Sequence, residues 1–172
     1  DGDRWRRVVP SPEPKRVIQL PAIRRLIDGG LLVVCAGGGG VPVVDDGAGG
    51  HRGVEAVIDK DLSSCLLAVE LEADALALAT DVDAVYVDWG TPDQRPIRAA
   101  SPAALRALTF PPGSMGPKVE ATCRFVEQTG GRAAIGALEQ VRELLDGAAG
   151  TQVRLDGPEL EYGTATTSGA VS

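Results

Sequence analysis

The sequence predicts an α/β fold built on a mostly parallel sheet, with helices on both faces. Segments with apolar residues at helical spacing alternate along the chain with short apolar runs, which is the pattern of β–α units. The chain has 172 residues, of which 44% are apolar and 24% charged. This is the size of one domain and the composition of a globular protein. We expect residues 1–155 to form the domain and residues 156–172, which turn to Gly, Thr and Ser, to form a flexible tail.

The first elements are a helix, a strand and a hairpin. Residues 17–28 carry an apolar stripe at helical spacing that stops at a Gly-Gly pair, which predicts a helix. The continuous apolar run 31–36 predicts a strand covered on both faces. Residues 41–53 contain a short valine-rich segment and then a Gly- and Asp-rich turn, which is typical of a hairpin.

The next elements carry clear start signals. Residues 59–73 have helical spacing, with Asp59 or Asp61 placed to cap the first turn. Ser101 followed by proline predicts the start of a helix that ends near residue 108. The remaining predicted elements are strands at 75–79, 85–87, 132–135 and 151–155, a loop at 89–96, and helices at 117–128 and 138–145.

Charge and composition exclude several classes of function. The formal net charge is −7, and aromatic residues make up 3% of the chain, so a nucleic-acid partner is not expected. Apolar runs are too short for a membrane helix, and the N-terminus shows no signal peptide. The three cysteines fit no zinc or redox spacing, which indicates a reduced, cytoplasmic setting.

Two segments near the middle of the chain could bind phosphate. Gly37, Gly38, Gly39 and Gly40 follow the predicted strand, and glycines let backbone N–H groups approach an anion closely; the alternative is a flexible turn. Lys60 lies between two aspartates at a helix start, where the helix dipole disfavours a cation. It is either a solvated side chain beside a capped helix or an ammonium directed at phosphate oxygens.

Two further segments have similar chemistry. Thr80, Asp81 and Asp83 end a predicted strand, where carboxylates either accept from ribose hydroxyls or form turns. Residues 113–118 form a second glycine loop that enters a helix with Lys118 in its first turn, which is a helix-terminus anion site with a point charge. Two of the three lysines of the chain thus lie at helix starts.

Together these segments indicate phosphoryl transfer to an acceptor that is already anionic. They supply glycine loops, lysines and a carboxylate pair, but no convincing general base, because the single histidine, His51, lies in a loop composition. Positioning and charge neutralisation then provide nearly all of the catalysis. A carboxylate or carbamate acceptor needs no base, whereas an alcohol does.

On these residues the sequence resembles the carbamate kinases of the amino-acid-kinase superfamily. The segment TDVDAVY and the GSMGPK type occur across the superfamily, whereas GVEAVIDKD together with CAGGGGVPVV is more particular to carbamate kinases. The resemblance covers the nucleotide-binding C-terminal half of such a protein. The matching segments are RVVPSPEP (7–14), CAGGGGVPVV (35–44), GVEAVIDKDLSS (53–64), LATDVDAVYVDWGTP (78–92) and GSMGPKVEA (113–121).

The resemblance implies a three-layer αβα sandwich and reversible phosphoryl transfer between ATP and carbamate, giving carbamoyl phosphate and ADP, with Mg²⁺ on the nucleotide. It also implies a homodimer and ATP formation in arginine catabolism. Lys60 and Asp61 would act on the phosphoryl group, and Gly37–Gly40 would lie on the substrate side. The residues expected at the nucleotide are Thr80, Asp81, Asp83, Tyr86, Met115, Pro117 and Lys118; no residue is expected to hold a metal directly.

Two other interpretations stay open. The chain could be a nucleotide-binding or dimerising module without catalysis, because the resemblance omits the first strand, its glycine loop and a further lysine. It could also belong to a related kinase that forms another acyl phosphate. This sequence retains the lysines and aspartates of the matching motifs, which favours the carbamate kinase interpretation.

Overall fold

The structure is a computed structural model that describes residues 5, 8–110 and 115–163. The chain divides into two compact units, Asp1–Leu67 and Ala68–Ser172. The helices are α1 (Leu20–Asp28), α2 (Lys60–Glu70), α3 (Pro102–Arg106), α4 (Gly116–Thr129) and α5 (Val141–Leu145), with a 3₁₀ turn at Leu138–Gln140 before α5. The strands are β1 (Val43–Asp45), β2 (His51–Gly53), β3 (Ala75–Thr80), β4 (Val85–Val87), β5 (Arg95–Ala100), β6 (Arg132–Ala137), β7 (Thr151–Val153) and β8 (Leu160–Tyr162).

The first unit contains α1, the β1–β2 hairpin and the start of α2. Helix α1 ends where predicted, because the N–H of Gly29 donates to the carbonyl of Arg25 at 3.1 Å and that of Gly30 to Ile27 at 2.8 Å. Strands β1 and β2 pair antiparallel, with Val44 opposite Arg52, which confirms the predicted hairpin. His51 lies in β2 rather than in its loop, and it is exposed.

The predicted strand at 31–36 is wrong. These residues form no strand, and Leu32 and Val34 are 96% and 95% exposed. An apolar run becomes a buried strand only where a neighbouring strand accepts its backbone hydrogen bonds. The two strands described in this unit pair only with each other, and neither pairs with the run.

The second unit is built on one six-stranded sheet with the order β3-β6-β7-β5-β4, and β8 pairs with β5. Its longest ladder is the parallel β3–β6 pair, which runs from Ala75 opposite Arg132 to Thr80 opposite Ala137. The β5–β7 pair is also parallel, while β4–β5, β6–β7 and β5–β8 are antiparallel. The predicted α/β class is confirmed, with a parallel ladder at the strand that leads to the candidate site.

Helices cover both faces of this sheet at β6. A Cβ on Gly131 would meet the ring of Phe125 in α4 at 3.1 Å, and a Cβ on Gly136 would meet Leu144 in α5 at 2.6 Å. Successive side chains of a strand point to opposite faces of the sheet. Residues 133–136 of β6 are buried without a break, so both faces of this strand are covered. The unit therefore has helix, sheet and helix layers.

Two strands were not predicted. Strand β5 begins inside the predicted loop 89–96 and contains Pro96, which breaks the usual strand pattern. Strand β8 lies within the predicted tail, and it pairs antiparallel with β5, Leu160 lying opposite Ala100. Both are short or polar in sequence, and both exist because a neighbouring strand supplies hydrogen bonds. Residues 164–172 of the predicted tail lie outside the described residues.

Candidate active site

A cavity of about 810 Å³ opens within the second unit at the carboxyl end of β3. In α/β sheets this edge is where ligands bind. Its polar lining comes from Thr80, Asp81, Asp88, Thr91, Thr109 and Lys118. Its main apolar and aromatic lining comes from Val82, Tyr86, Trp89, Leu108, Phe110 and Met115. The volume and the mixed lining are typical of a small-molecule site.

Lys118 is the buried charge of this cavity. It lies in the first turn of α4, after Pro117, and is only 8% exposed. The ammonium and the N-terminal end of the helix dipole both carry positive charge, so an anion bound in the cavity beside them would be stabilised by both. Met115 lines the cavity beside it, whereas Pro117 starts the helix without lining the cavity. Gly113 and Ser114 lie outside the described residues.

The predicted Thr80–Tyr86 segment forms the floor of the cavity. The hydroxyl of Thr80 donates to Asp81 at 3.0 Å, and the hydroxyl of Tyr86 donates to Asp83 at 2.7 Å. Burial, with the Asp83 hydrogen bond and charge, raises the pKa of Tyr86 to about 12, so its phenol stays neutral and keeps donating. Asp83 does not line the cavity and reaches it only through Tyr86.

A second cluster forms in the first unit, where the glycine run meets the start of α2. Gly39 has φ +121°, and a Cβ there would overlap the carbonyl oxygen of Ile58, so only glycine fits. The hydroxyl of Ser63 donates to the carbonyl of Gly39 at 2.9 Å. The structure thus brings together the glycine run Gly37–Gly40 and the Lys60 segment, two motifs that are separate in sequence.

Lys60 and Asp61 form a close pair at the first turn of α2. The Lys60 Nζ lies 3.2 Å from Asp61 Oδ1, and the Asp61 side chain is buried while that of Lys60 is 57% exposed. Of the two predicted caps, Asp59 or Asp61, the structure shows Asp59, whose Oδ1 accepts from the N–H groups of Asp61 at 2.8 Å and Leu62 at 2.9 Å. The Lys60 ammonium is therefore held by a buried carboxylate, although more than half of the Lys60 side chain is exposed.

The sequence analysis missed the aromatic walls of the cavity. Trp89 lies in the matching segment 78–92 but was not singled out there, and Phe110 lies outside the matching segments. A signal was available, because the chain has only two each of Phe, Trp and Tyr, and three of these six residues, Tyr86, Trp89 and Phe110, line one cavity. In a chain this poor in aromatics, such clustering indicates a binding surface.

The described part of the chain holds neither a metal cage nor a membrane helix. No group of three His, Cys, Asp or Glu side chains gathers there in a way that could hold a metal ion. None of the helices described has the length and apolar character needed to cross a bilayer. Side-chain oxygens at the cavity belong to Thr80, Asp81, Tyr86, Asp88, Thr91 and Thr109, of which Asp81 and Asp88 are carboxylates.

Comparison with known proteins identifies the family. The amino acid kinase family matches residues 1–136, so the chain belongs to that family. Within it, the chain is 52% identical to the carbamate kinase of Haemophilus influenzae over 89% of its own length and 49% of that protein. It is 53% identical to the carbamate kinase of Rhizobium meliloti over 88% of its length and 47% of that protein.

A solved structure gives the same result in three dimensions. The carbamate kinase of Giardia lamblia bound to AMP-PNP superposes with a TM-score of 0.82 at 38% identity, over 87% of this chain and 53% of the other. The UMP kinase of Bacillus anthracis shares the fold, with a TM-score of 0.56 at 19% identity. The chain spans about half the length of the curated relatives that it matches.

Proposed function

We propose that this chain is the nucleotide-binding part of a carbamate kinase, and that the cavity of the second unit takes ATP or ADP. The observation that carries this proposal is the buried Lys118 at the start of α4, in a cavity with aromatic walls. A nucleotide has the two properties that such a cavity selects, an apolar ring at one end and phosphate charge at the other. The Giardia lamblia relative bound to AMP-PNP supports this choice.

The reaction proposed is phosphoryl transfer between ATP and carbamate. An oxygen of carbamate attacks the γ-phosphorus, the bond from that phosphorus to the β–γ bridging oxygen breaks, and ADP leaves as carbamoyl phosphate forms. Because carbamate is already an anion, no group has to remove a proton, and the shortage of general bases in this chain is no obstacle. In the reverse direction the same steps make ATP.

Each charged residue of the chain has its own role in the proposed reaction. Lys118 neutralises the nucleotide phosphates, and Lys60, held by Asp61, neutralises the phosphoryl group as it transfers. In the run Gly37–Gly40, the N–H groups of Gly37 and Gly39 donate to the carbonyls of Cys35 and Ala36, so Gly38 and Gly40 supply the N–H groups on the substrate side. Mg²⁺ fits here with the nucleotide, because it prefers phosphate and water oxygens with one or two carboxylates, and Asp81 and Asp88 line the cavity. When bound, it would neutralise phosphate charge.

The finer parts of the proposal follow from the resemblance to carbamate kinases. They are a homodimer, a cytoplasmic location and a physiological role in ATP formation during arginine catabolism. Analytical ultracentrifugation tests the first of these directly.

Calorimetric titration of the 172-residue chain with ADP tests the nucleotide site. We expect ADP to bind and to raise the melting temperature, because it binds the native state only. Lys118→Ala should weaken ADP binding by about tenfold or more, since a buried charge–phosphate contact is lost. The matched control is Lys15→Ala, which removes an exposed lysine paired with Glu13 and should leave the affinity unchanged. A folded chain that does not bind ADP contradicts the proposal.

A further inference from the structure

A second cavity, of about 310 Å³, opens in the second unit. It shares no lining residue with the cavity at β3. Strands β5 and β7 run opposite to β3, because β3–β6 and β5–β7 are parallel and β6–β7 is antiparallel. Ala100 at the end of β5 and Arg154 just after β7 line the second cavity, so these residues lie at the edge of the sheet opposite the carboxyl end of β3. The two cavities are therefore separate.

Side-chain hydrogen bonds fix one part of the wall of this second cavity. The guanidinium of Arg98 in β5 donates to three carbonyls of the turn between α5 and β7, those of Gly147, Ala149 and Gly150. The side-chain amide of Gln152 in β7 donates to the carbonyl of Ala149 at 2.7 Å. Both side chains line the cavity, so this part of the wall is fixed before a ligand binds.

The segment that joins β7 to β8 forms the rest of the wall. The N–H of Ser101 donates to the carbonyl of Pro158 at 2.7 Å, and the N–H of Gly157 donates to the carbonyl of Arg154 at 3.1 Å. A Cβ on Gly157 would meet the carbonyl oxygen of Ala100 at 2.7 Å, so this segment lies directly against the end of β5. The backbone that carries the remaining lining residues is therefore also held in place.

The charged side chains of this wall have opposite signs but do not pair with one another. Arg98, Arg154, Asp156 and Glu161 all line the cavity, so their formal charges cancel. Among the residues that the structure describes, no ion pair joins any two of these four side chains. Because Arg98 already donates to backbone carbonyls, Arg154 is the cation that a ligand meets. Both signs of charge are thus available to one small molecule.

From this geometry we infer that the second cavity binds a free α-amino acid of zero net charge, whose carboxylate contacts Arg154 and whose ammonium contacts Asp156 and Glu161. A simple anion would be repelled by the two carboxylates, and a simple cation by the arginines. No group of three acidic, His or Cys side chains that could hold a metal gathers within the described residues. A zwitterion satisfies both signs at once. The volume lies at the lower end of the range for ligand cavities, which suits an amino acid.

Calorimetric titration of the 172-residue chain with three related probes tests this site. L-Glutamine carries both charges and a polar side chain, N-acetyl-L-glutamine lacks the ammonium, and L-glutaminamide lacks the carboxylate. We expect L-glutamine to bind, and each derivative to bind about tenfold more weakly or less, because one charge-assisted contact is lost. Absence of L-glutamine binding, or equal binding of all three probes, overturns the proposal.

Substitutions assign each charge of the probe to its partner. Arg154→Gln should weaken L-glutamine by about threefold to tenfold and abolish the preference for L-glutamine over L-glutaminamide. Asp156→Asn combined with Glu161→Gln should weaken it similarly and abolish the preference over N-acetyl-L-glutamine. All three side chains belong to exposed residues, so these variants should fold. Parent-like affinity and preference in both variants would show that L-glutamine binds elsewhere and would overturn the proposal.

Two control variants remove charges of the same unit that do not line the second cavity. Glu159→Gln changes an exposed carboxylate between Asp156 and Glu161, and Arg142→Gln changes an exposed arginine of α5. Both should bind L-glutamine as the parent does. A loss of affinity equal to that of the cavity variants would mean that the net charge of the unit, rather than this cavity, determines binding.

Titration of L-glutamine in the presence of saturating ADP separates the two cavities. Because they share no lining residue, the affinity for L-glutamine should stay the same within about twofold. Complete loss of L-glutamine binding in ADP would place the amino acid in the first cavity and overturn the proposal.

Discussion

The buried hydroxyl of Thr151 accepts a hydrogen bond from the backbone N–H of Val85 at 2.8 Å. The same hydroxyl donates to the carbonyl of Ile97 at 2.6 Å. One side chain of β7 therefore ties the first residue of β4 to β5. Since the Thr80–Tyr86 segment that forms the cavity floor ends in β4, this bond sets where the floor lies.

Replacing Thr151 should destabilise the protein in proportion to the hydrogen bonds lost. Thr151→Val leaves a buried N–H and a buried carbonyl without their partner, and should lower the free energy of unfolding by about 2–3 kcal/mol. Thr151→Ser keeps the hydroxyl and loses only a methyl group, which should cost about 1 kcal/mol. Urea unfolding of the two variants measures the difference, and equal stabilities would show that the hydroxyl contributes little.

The glycine run should tolerate alanine at one position and reject it at the next. Gly39→Ala forces a side chain into a positive-φ backbone and against the Ile58 carbonyl, which should cost on the order of 2 kcal/mol or more. Gly38→Ala is the matched control, because a Cβ there meets nothing within 4 Å. Thermal unfolding compares the two, and similar melting temperatures would contradict the close packing of the run on α2.

Tyr86 should titrate at unusually high pH. Its pKa is raised to about 12 by burial and by Asp83, above the ordinary value near 10. Between about pH 10 and 12 the unfolded chain releases this proton while the folded chain keeps it, so stability falls as the pH rises through this window. Absorbance titration of the phenolate measures the pKa.

Two variants test the origin of this shift. Asp83→Ala should lower the pKa of Tyr86 toward its ordinary value, and Tyr86→Phe should remove this contribution to the loss of stability between pH 10 and 12. An unchanged titration in Asp83→Ala would mean that the hydrogen bond plays no part.

Lys60 should affect the rate of phosphoryl transfer rather than the affinity for the nucleotide. The test uses an enzyme completed with the part of the Haemophilus influenzae carbamate kinase that this chain does not span. There Lys60→Ala should lower kcat by about 10²–10³ and leave ADP binding nearly unchanged. Lys60→Arg should retain only part of the parent kcat, because a planar guanidinium misplaces the charge. Lys15→Ala serves as the control, and a parent-like kcat for Lys60→Ala would remove Lys60 from the site.

Features that depend on neighbours in sequence were predicted correctly. Ser101 caps α3 as expected, its hydroxyl accepting from the N–H of Ala104 at 3.3 Å, and Asp59 caps α2. A helix cap joins residues two or three positions apart, so the sequence contains both partners. The same holds for the segment 80–86 and for Lys118, which lie at the predicted ends of their elements.

Only the tertiary structure determined which segments form strands and which aromatic residues line the same cavity. The run 31–36 has the more apolar sequence but is exposed, while β5, with two arginines and a proline, lies inside the sheet. A strand exists where another backbone accepts its hydrogen bonds, and no local pattern records that partner. Likewise Trp89 and Phe110 line one cavity although they are 21 residues apart, because the fold brings their loops together. The sequence by itself determined the capped starts of α2 and α3, the charged groups and the family, and the pairing of distant strands determined the cavity in which Lys118 lies.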